Sequence, residues 1–476
     1  MILKNKSIYK LKSSLVICLV LVVNLTSQAQ IVSDSIFTLE EYLGYVKQYH
    51  PIVKQAQLIA TEGEIKLLKA RGAFDPKIEV DYNRKKFSGT EYYDKLNAAF
   101  KIPTWYGIEL KANYENNDGY YLNPESNVPD DGLYSAGVSM SLAKGFLANE
   151  RMATLKQSKL YKDISLNKQS LVVNEVLYNA VEAYFNWLKN YQEYKVYNDY
   201  QNNAKERLNN VVASFEAGDK PAVDTLEASI NYNNRALDVE KSRIKYIKSQ
   251  LELSNYLWLQ DDTPVELDYS LIPDENSLFI ADRVLNSSLL EVTDDLLNEH
   301  PKIQSLTLKR EQLVFEKRLN SNNLLPKIDL QYNFLTSDYE RINTLNTRNY
   351  KAGLNVSMPL FLRKERADLK LTKLKLQDID FNLSSTKVTL LNKINAVQQE
   401  IDSYEKQRSI VEKLVTDYKH LVTAEEMKFE LGEGSLFLIN YREVKLIETE
   451  LKNIEVENKV LITKAKFAEI LNTLEN

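Results

Sequence analysis

The chain has 476 residues, with 61 Lys and Arg against 66 Asp and Glu, a net charge of −5 and a mean hydropathy of −0.38. A mildly acidic chain without basic blocks is a poor nucleic-acid binder, so no nucleic-acid partner is expected. A single cysteine excludes a disulfide framework, and beyond the N-terminal leader no apolar run is long enough to cross a bilayer as a helix.

Residues 1–29 read as a secretory signal peptide. Lys4, Lys6, Lys10 and Lys12 form the charged part, Leu15 to Leu25 the apolar part, and Ser27-Gln28-Ala29 supplies small residues for cleavage. The apolar run is about half the ~20 residues a spanning helix needs. Cys18 follows Ile17 rather than the small residue of a lipoprotein site. Cleavage removes the only cysteine and four lysines, taking the net charge from −5 to −9. An exported chain of this kind can cross a membrane only through strands.

The remainder says nearly the same thing twice, about 250 residues apart, which marks a duplicated half rather than a solenoid. The expected divisions are a first repeat over 30–260, a connector around the middle of the molecule over 261–290, and a second repeat over 291–476. Each repeat reads helix, strands, long helix, glycine tip, helix. Tyr49-His50-Pro51 returns as Glu299-His300-Pro301 on the opening helices, and Pro76-Lys77-Ile78 returns as Pro326-Lys327-Ile328 at the first strands.

The strands alternate with period two. Ile78, Val80 and Tyr82 share one face, followed by Ile108, Leu110, Ala112 and Tyr114, then Tyr134, Ala136, Val138 and Met140. In the second half Ile328, Leu330, Tyr332 and Phe334 precede Tyr350, Ala352, Leu354 and Val356. One apolar and one polar face over about ten residues is the pattern of a transmembrane barrel strand. A soluble sandwich shares it, but Phe87, Tyr92, Tyr93, Trp105, Tyr106, Tyr120, Tyr121, Tyr339 and Tyr350 near strand ends resemble interfacial girdles. The long polar segments 117–131 and 337–349 are expected to face outward and the short turn 103–107 to face the periplasm. Four strands are expected in the first half and two in the second, with 88–116 as an extra hairpin.

No Gly or Pro interrupts 147–217 or 361–431, far longer than ordinary globular helices. Leu390, Ile394, Val397, Ile401, Tyr404, Arg408, Val411, Val415, Tyr418, Val422, Glu425 and Phe429 fall at alternating spacings of four and three, a coiled-coil seam. Val444, Ile447, Leu451, Ile454, Asn458, Leu461, Ala465 and Ala468 continue it on a returning helix. The turns lie at Gly218-Asp219-Lys220-Pro221 and Gly432-Glu433-Gly434, where Gly permits a positive φ and Pro can start the next helix.

Together the His-Pro opening helices, the Pro-Lys-Ile strand starts, Val356-Ser357-Met358-Pro359-Leu360-Phe361 after the last strand, and the Phe-x-x-Gly tips resemble the TolC-like outer-membrane efflux proteins over nearly the whole mature chain. The resemblance implies an α+β membrane protein in which transmembrane β-barrel strands and coiled-coil helical hairpins build one barrel and one tunnel in a homotrimer. It also implies an outer-membrane location with lipid around the barrel, and a tunnel in the periplasm docked to a periplasmic adaptor and an inner-membrane pump or ABC exporter. The function implied is passive conduction as an efflux exit duct. A type I protein secretion duct is the alternative within transport, and a periplasmic coiled-coil scaffold the alternative outside it.

The same resemblance makes the tips Gly218, Asp219, Pro221, Gly432, Glu433 and Gly434 the expected adaptor-docking surface. Family aspartates that narrow the tunnel correspond to Leu438 and Tyr441 here, whereas the first-half counterparts Asp224 and Glu227 keep carboxylates. These four are the candidate periplasmic gate. The tip acids Glu216, Asp219, Glu430 and Glu433 would favour cations if brought into rings.

No catalytic constellation is present, so no enzyme is expected, and neither a cofactor motif nor a metal spacing occurs. His50 and His300 precede Pro at equivalent repeat positions, which fits helix capping, and His420 lies on a solvated helix face.

Overall fold

The computed structural model describes residues 35–146, 148–277, 281, 283, 285 and 294–475. The expected signal peptide and a third of the expected connector lie outside these residues. In the first half, β1 (Ser35–Phe37), α1 (Leu39–Tyr49) and α2 (Pro51–Arg71) lead to β2 (Lys77–Phe87), β3 (Thr90–Pro103), β4 (Ile108–Asp118) and β5 (Leu133–Ser141). The helical hairpin α3 (Glu150–Glu216) and α4 (Ala222–Ser254) follows, then β6 (Leu271–Pro273), which pairs in parallel with β1. The second half runs α5 (Asp294–Glu299), α6 (Pro301–Asn322), β7 (Lys327–Thr336), β8 (Tyr350–Ser357), α7 (Arg363–Glu430) and α8 (Leu436–Leu471).

Helices α3 and α7 contain 67 and 68 residues, about 100 Å each at 1.5 Å per residue. Asn149 caps α3 by accepting from Met152 N–H at 2.8 Å, and the next glycine ends the helix. Every seam position expected on α7 is buried or half-buried. On α8 the seam from Ile447 to Ala468 is likewise covered, but Val444 is exposed and Glu443 beside it is buried. Near the sheet the helices pack in the order α2–α3–α6–α7, and toward the tips in the order α4–α3–α8–α7.

The main core lies between these two layers. Phe37, Leu39, Tyr42 and Val46 pack on Leu177, Val181, Tyr184 and Phe185 of α3, with Leu253 of α4 and Leu461 and Ala465 of α8. Burying apolar side chains of this size contributes about 1.5–3 kcal/mol apiece. Tyr184 donates to the Phe37 carbonyl at 2.8 Å and accepts from Asp274 N–H at 3.2 Å. Burial pushes its phenol up to about 12, so this bridge across the chain's middle stays neutral.

Six strands form one antiparallel sheet in the order β2-β3-β4-β5-β7-β8, with the halves joined at β5–β7. The extra hairpin is therefore part of the sheet, as β3 and β4. The turn 103–107 lies at the end opposite the long segments 119–132 and 337–349, but loop length alone does not sort the ends. The β2–β3 connection is the tight turn Ser88-Gly89, both residues at positive φ, and it lies at the same end as the long segments 119–132 and 337–349. Strand direction, not loop length, decides which end a turn occupies.

Candidate functional site

Register turns the period-two pattern into two continuous surfaces. Across the sheet Ile78 opposes Phe100, Phe100 opposes Ala112, Ala112 opposes Ala136, Ala136 opposes Phe334, and Phe334 opposes Tyr350. The neighbouring row runs Ile102, Leu110, Val138, Tyr332 and Ala352. At its outer end Tyr339 packs on Tyr134 of this face, with ring centres 5.7 Å apart. Ile78 is 77% exposed and Leu354 65% at the edges, and in the central strands Phe100, Leu110 and Val138 are also exposed, so this apolar face is left largely uncovered.

The opposite face is polar and several of its charges are paired. Lys101 bonds Glu79, Lys111 lies 3.4 Å from Glu109, Lys351 lies 3.9 Å from Glu115, and Lys327 lies 3.0 Å from Asp329. Ser141 donates to Asp329 at 2.6 Å. Where this face meets the helices, a cavity of about 770 Å³ is bounded by Glu109, Lys111, Ser139, Arg151, Asn320 and Gln331. Mixed, mutually neutralised charge makes a wettable wall without a strong preference for one sign of ion.

The two tips share one backbone motif. At the first, Gly218 has φ +86 and Asp219 N–H donates to the Ser214 carbonyl at 2.9 Å. At the second, Gly432 has φ +77 and Glu433 N–H donates to the Lys428 carbonyl at 2.9 Å. These are Schellman turns, which satisfy carbonyls left over at a helix end. Pro221 stands at the N-cap and α4 begins at Ala222, one residue later than a helix-starting Pro would give. Ser435 caps α8 by accepting from Leu438 N–H at 3.3 Å. Gly434 has another reason to be Gly: a Cβ there would lie 2.8 Å from Phe429 N.

The tips also touch. Val211, Ala228 and Leu436 form a small core with Leu208 and Phe429 packed on it, and Lys220 Nζ lies 3.9 Å from the Phe429 ring centre. Of the candidate gate residues, Glu227 and Tyr441 line one cleft of about 280 Å³. Asp224 is half-buried in the first turn of α4, and Leu438 is exposed in the first turn of α8.

Sequence reasoning missed the strongest feature of this region. Arg207 of α3 donates to Glu443 Oε1 of α8 at 2.9 Å and to Glu426 Oε1 of α7 at 3.1 Å. Arg235 of α4 approaches Glu443 Oε2 at 3.5 Å. Asn440 links Arg207, Asn231 and Glu227, accepting from Asn231 at 2.5 Å and donating to Glu227 Oε1 at 3.1 Å. Four long helices meet in this one polar network, and Glu443 is 2% exposed. No spacing rule marks it, because its members come from four separate segments and Glu443 stands beside the apolar Val444.

His50 and His300 do cap helices. Both have φ near −60°, and each ring Nδ1 accepts from the N–H two residues on, at 3.3 Å for Ile52 and 3.1 Å for Lys302. His300 Nε2 faces the Ile470 carbonyl at 3.0 Å, which puts the single proton on Nε2. Burial holds both imidazoles below their ordinary value. His420 is exposed on α7.

Residues 292–473 match the family described as outer membrane efflux protein. No curated protein matches the chain by sequence. Among solved structures, the CmeC outer membrane channel of Campylobacter jejuni is similar at 14% identity and TM-score 0.62, covering 92% of this chain and 86% of CmeC. The open state of the MtrE outer membrane channel of Neisseria gonorrhoeae is similar at 12% identity and TM-score 0.64, covering 94% of each chain. The outer membrane protein VceC of Vibrio cholerae is similar at 10% identity and TM-score 0.62, covering 92% of this chain and 96% of VceC. The second half of the chain thus carries the sequence of the outer membrane efflux protein family, and nearly the whole chain has the fold of these channels.

Proposed function

We propose that this chain is the outer-membrane exit duct of a tripartite efflux system. Three copies close one barrel in the outer membrane and one helical tunnel in the periplasm, and substrates pass through passively. Energy comes from an inner-membrane pump or ABC exporter, linked to the duct by a periplasmic adaptor that meets the tips at Gly218 and Gly432.

The supporting observation is the sheet whose apolar side chains are exposed on one face while paired charges line the other. A soluble β head on a periplasmic scaffold would bury the apolar face; a barrel wall presents it to lipid. The tips fit the narrow end of the duct, because the network centred on Glu443 ties both hairpins together. Opening then requires that network to separate, a shift between discrete packings of long helices. Glu227 and Tyr441 border the cleft beside it and would line the aperture.

Conductance of protein reconstituted in planar bilayers tests this reading. The native protein should give small, infrequent steps, and Arg207→Ala should give larger and more frequent ones. Silence from both forms after verified insertion would contradict a duct.

A further inference from the structure

The sheet has two unpaired edges, β2 and β8, and both are exposed along their whole length. We propose that β8 of one copy pairs with β2 of the next in a defined register, closing an eighteen-stranded barrel from three six-stranded sheets. This rests on the three-copy reading above. Directions allow it: β2 leaves the helices and β8 returns to them, so a β8–β2 junction is antiparallel like every other in the sheet.

The chain carries its own template for that junction. The first half meets the second at β5–β7, where Ser141 opposes Asp329 and Met140 opposes Leu330. By the internal repeat β5 corresponds to β8, with Tyr134 matching Tyr350 and Ser141 matching Ser357, and β7 corresponds to β2, with Asp329 matching Glu79. Carrying the register over sets Ser357 opposite Glu79, Val356 opposite Val80, Asn355 opposite Asp81 and Leu354 opposite Tyr82. From Val356–Val80 to Leu354–Tyr82 apolar residues then meet apolar residues on the lipid face, polar residues meet polar residues on the lumen face, and Ala352 meets Arg84 at the outer end. A slip by one residue would put Val356 and Leu354 into the lumen. The pairing ends at Ala352, before Lys351 would face Lys85, next to the irregularity between Lys85 and Lys86.

Barrel geometry agrees with this register. A line at right angles to the strands runs Lys77, Lys101, Lys111, Gly137, Asn333 and Lys351. In the proposed register it re-enters the next copy level with Lys85, eight residues above Lys77. That is a climb of about 26 Å over about 29 Å of sheet, a strand tilt of about 43°. Transmembrane barrels tilt by about 35–45°. Slipping two residues toward greater shear would raise the tilt to about 49°, outside that range. At about 43° each copy occupies about 39 Å of circumference, close to the roughly 32–40 Å spanned by the four helices α2, α3, α6 and α7 side by side beneath it.

The helices leave the same two edges uncovered. Below β8, α7 exposes Leu371, Leu374, Phe381 and Val388 at heptad spacing, and nearer the tip Ile410. Below β2, α2 exposes Leu58, Ile65 and Leu68, and α4 exposes Ile230, Leu237, Ile244 and Leu251 every seventh residue. Heptad stripes without a partner in the chain are coiled-coil seams awaiting one. A heterologous contact of β8 and α7 with β2, α2 and α4 closes into a ring.

Disulfide cross-linking in the full-length protein, extracted from membranes in mild detergent, tests the register. In a Cys18→Ser background, Asn355→Cys is combined with Glu79→Cys, Asp81→Cys or Asn83→Cys and oxidised. The Asp81 pair should link copies head to tail, giving dimer and trimer bands several-fold stronger than either neighbouring pair. Stronger linking to residue 79 or 83 would overturn the register. A trimer by light scattering that links instead to Cys placed at Lys111, Asn113 or Glu115 of β4, or that links at none of these sites, would overturn the eighteen-stranded closure while leaving the trimer standing. A monomer by scattering would remove the three-copy reading itself.

Discussion

Glu443 sits almost fully buried between two guanidiniums, so its removal is costly in a specific way. Glu443→Ala leaves Arg207 held by Glu426 alone and Arg235 beside Asp238 at 3.9 Å, and losing one partner of a buried pair costs up to about 3–5 kcal/mol. The loss should fall on the tip end of the bundle. Hydrogen exchange should therefore speed up around 207–235 and 426–443, with little change around Leu177 and Val181 in the main core. Uniform protection across both regions would show that the network holds nothing together. The histidine caps make a prediction about pH. Both imidazoles have depressed affinity for protons when folded, so below the ordinary value of about 6.5 the unfolded chain binds protons that the folded chain refuses. Their contribution is complete above that value and declines as pH falls through it. Burial raises the carboxyls of Glu457 and Glu469, a contribution of opposite sign that is lost as pH rises. Wild type compared with His300→Asn separates the two: the native protein should lose its melting-temperature advantage between about pH 6.5 and 5, and parallel curves would contradict the capping role.

At the scale of elements, the tip glycines answer two different demands. Gly218 and Gly432 have open space around them but positive φ, so Ala there costs only the left-handed strain of about 1–2 kcal/mol. Gly434→Ala adds a clash with the backbone of Phe429 and should lower the melting temperature more than Gly432→Ala; equal losses would contradict the close packing of the tip. The seam of α7 and the faces of the strands were legible in the sequence because each follows from one period within one segment. The tips were legible because a glycine between two long apolar-periodic runs has few other uses. Glu443 was not legible, since nothing in one segment reveals that two arginines from other helices converge on it. Placing β3 and β4 in the sheet was also beyond pattern alone: Ile108, Leu110 and Ala112 alternate equally well in a detached hairpin, and only the pairing of β4 with β5 joins them to the rest.

For the whole molecule, the decisive property is that the sheet leaves large apolar side chains exposed on one face, while the helical body exposes apolar stripes along its edges. Arg at Leu354, on the exposed apolar face, should cost about 2–4 kcal/mol at the membrane midplane and reduce the folded outer-membrane fraction. Arg at Gln331, on the polar face, should leave that fraction unchanged; equal tolerance of both would mean the apolar face does not meet lipid. The most direct measurement is the mass of the protein extracted from outer membranes in mild detergent, by light scattering corrected for bound detergent. Three mature chains, roughly 150 kDa in the outer-membrane fraction and absent from the soluble periplasm, is the predicted result. A soluble periplasmic monomer or dimer would contradict the barrel and leave a coiled-coil scaffold as the better reading.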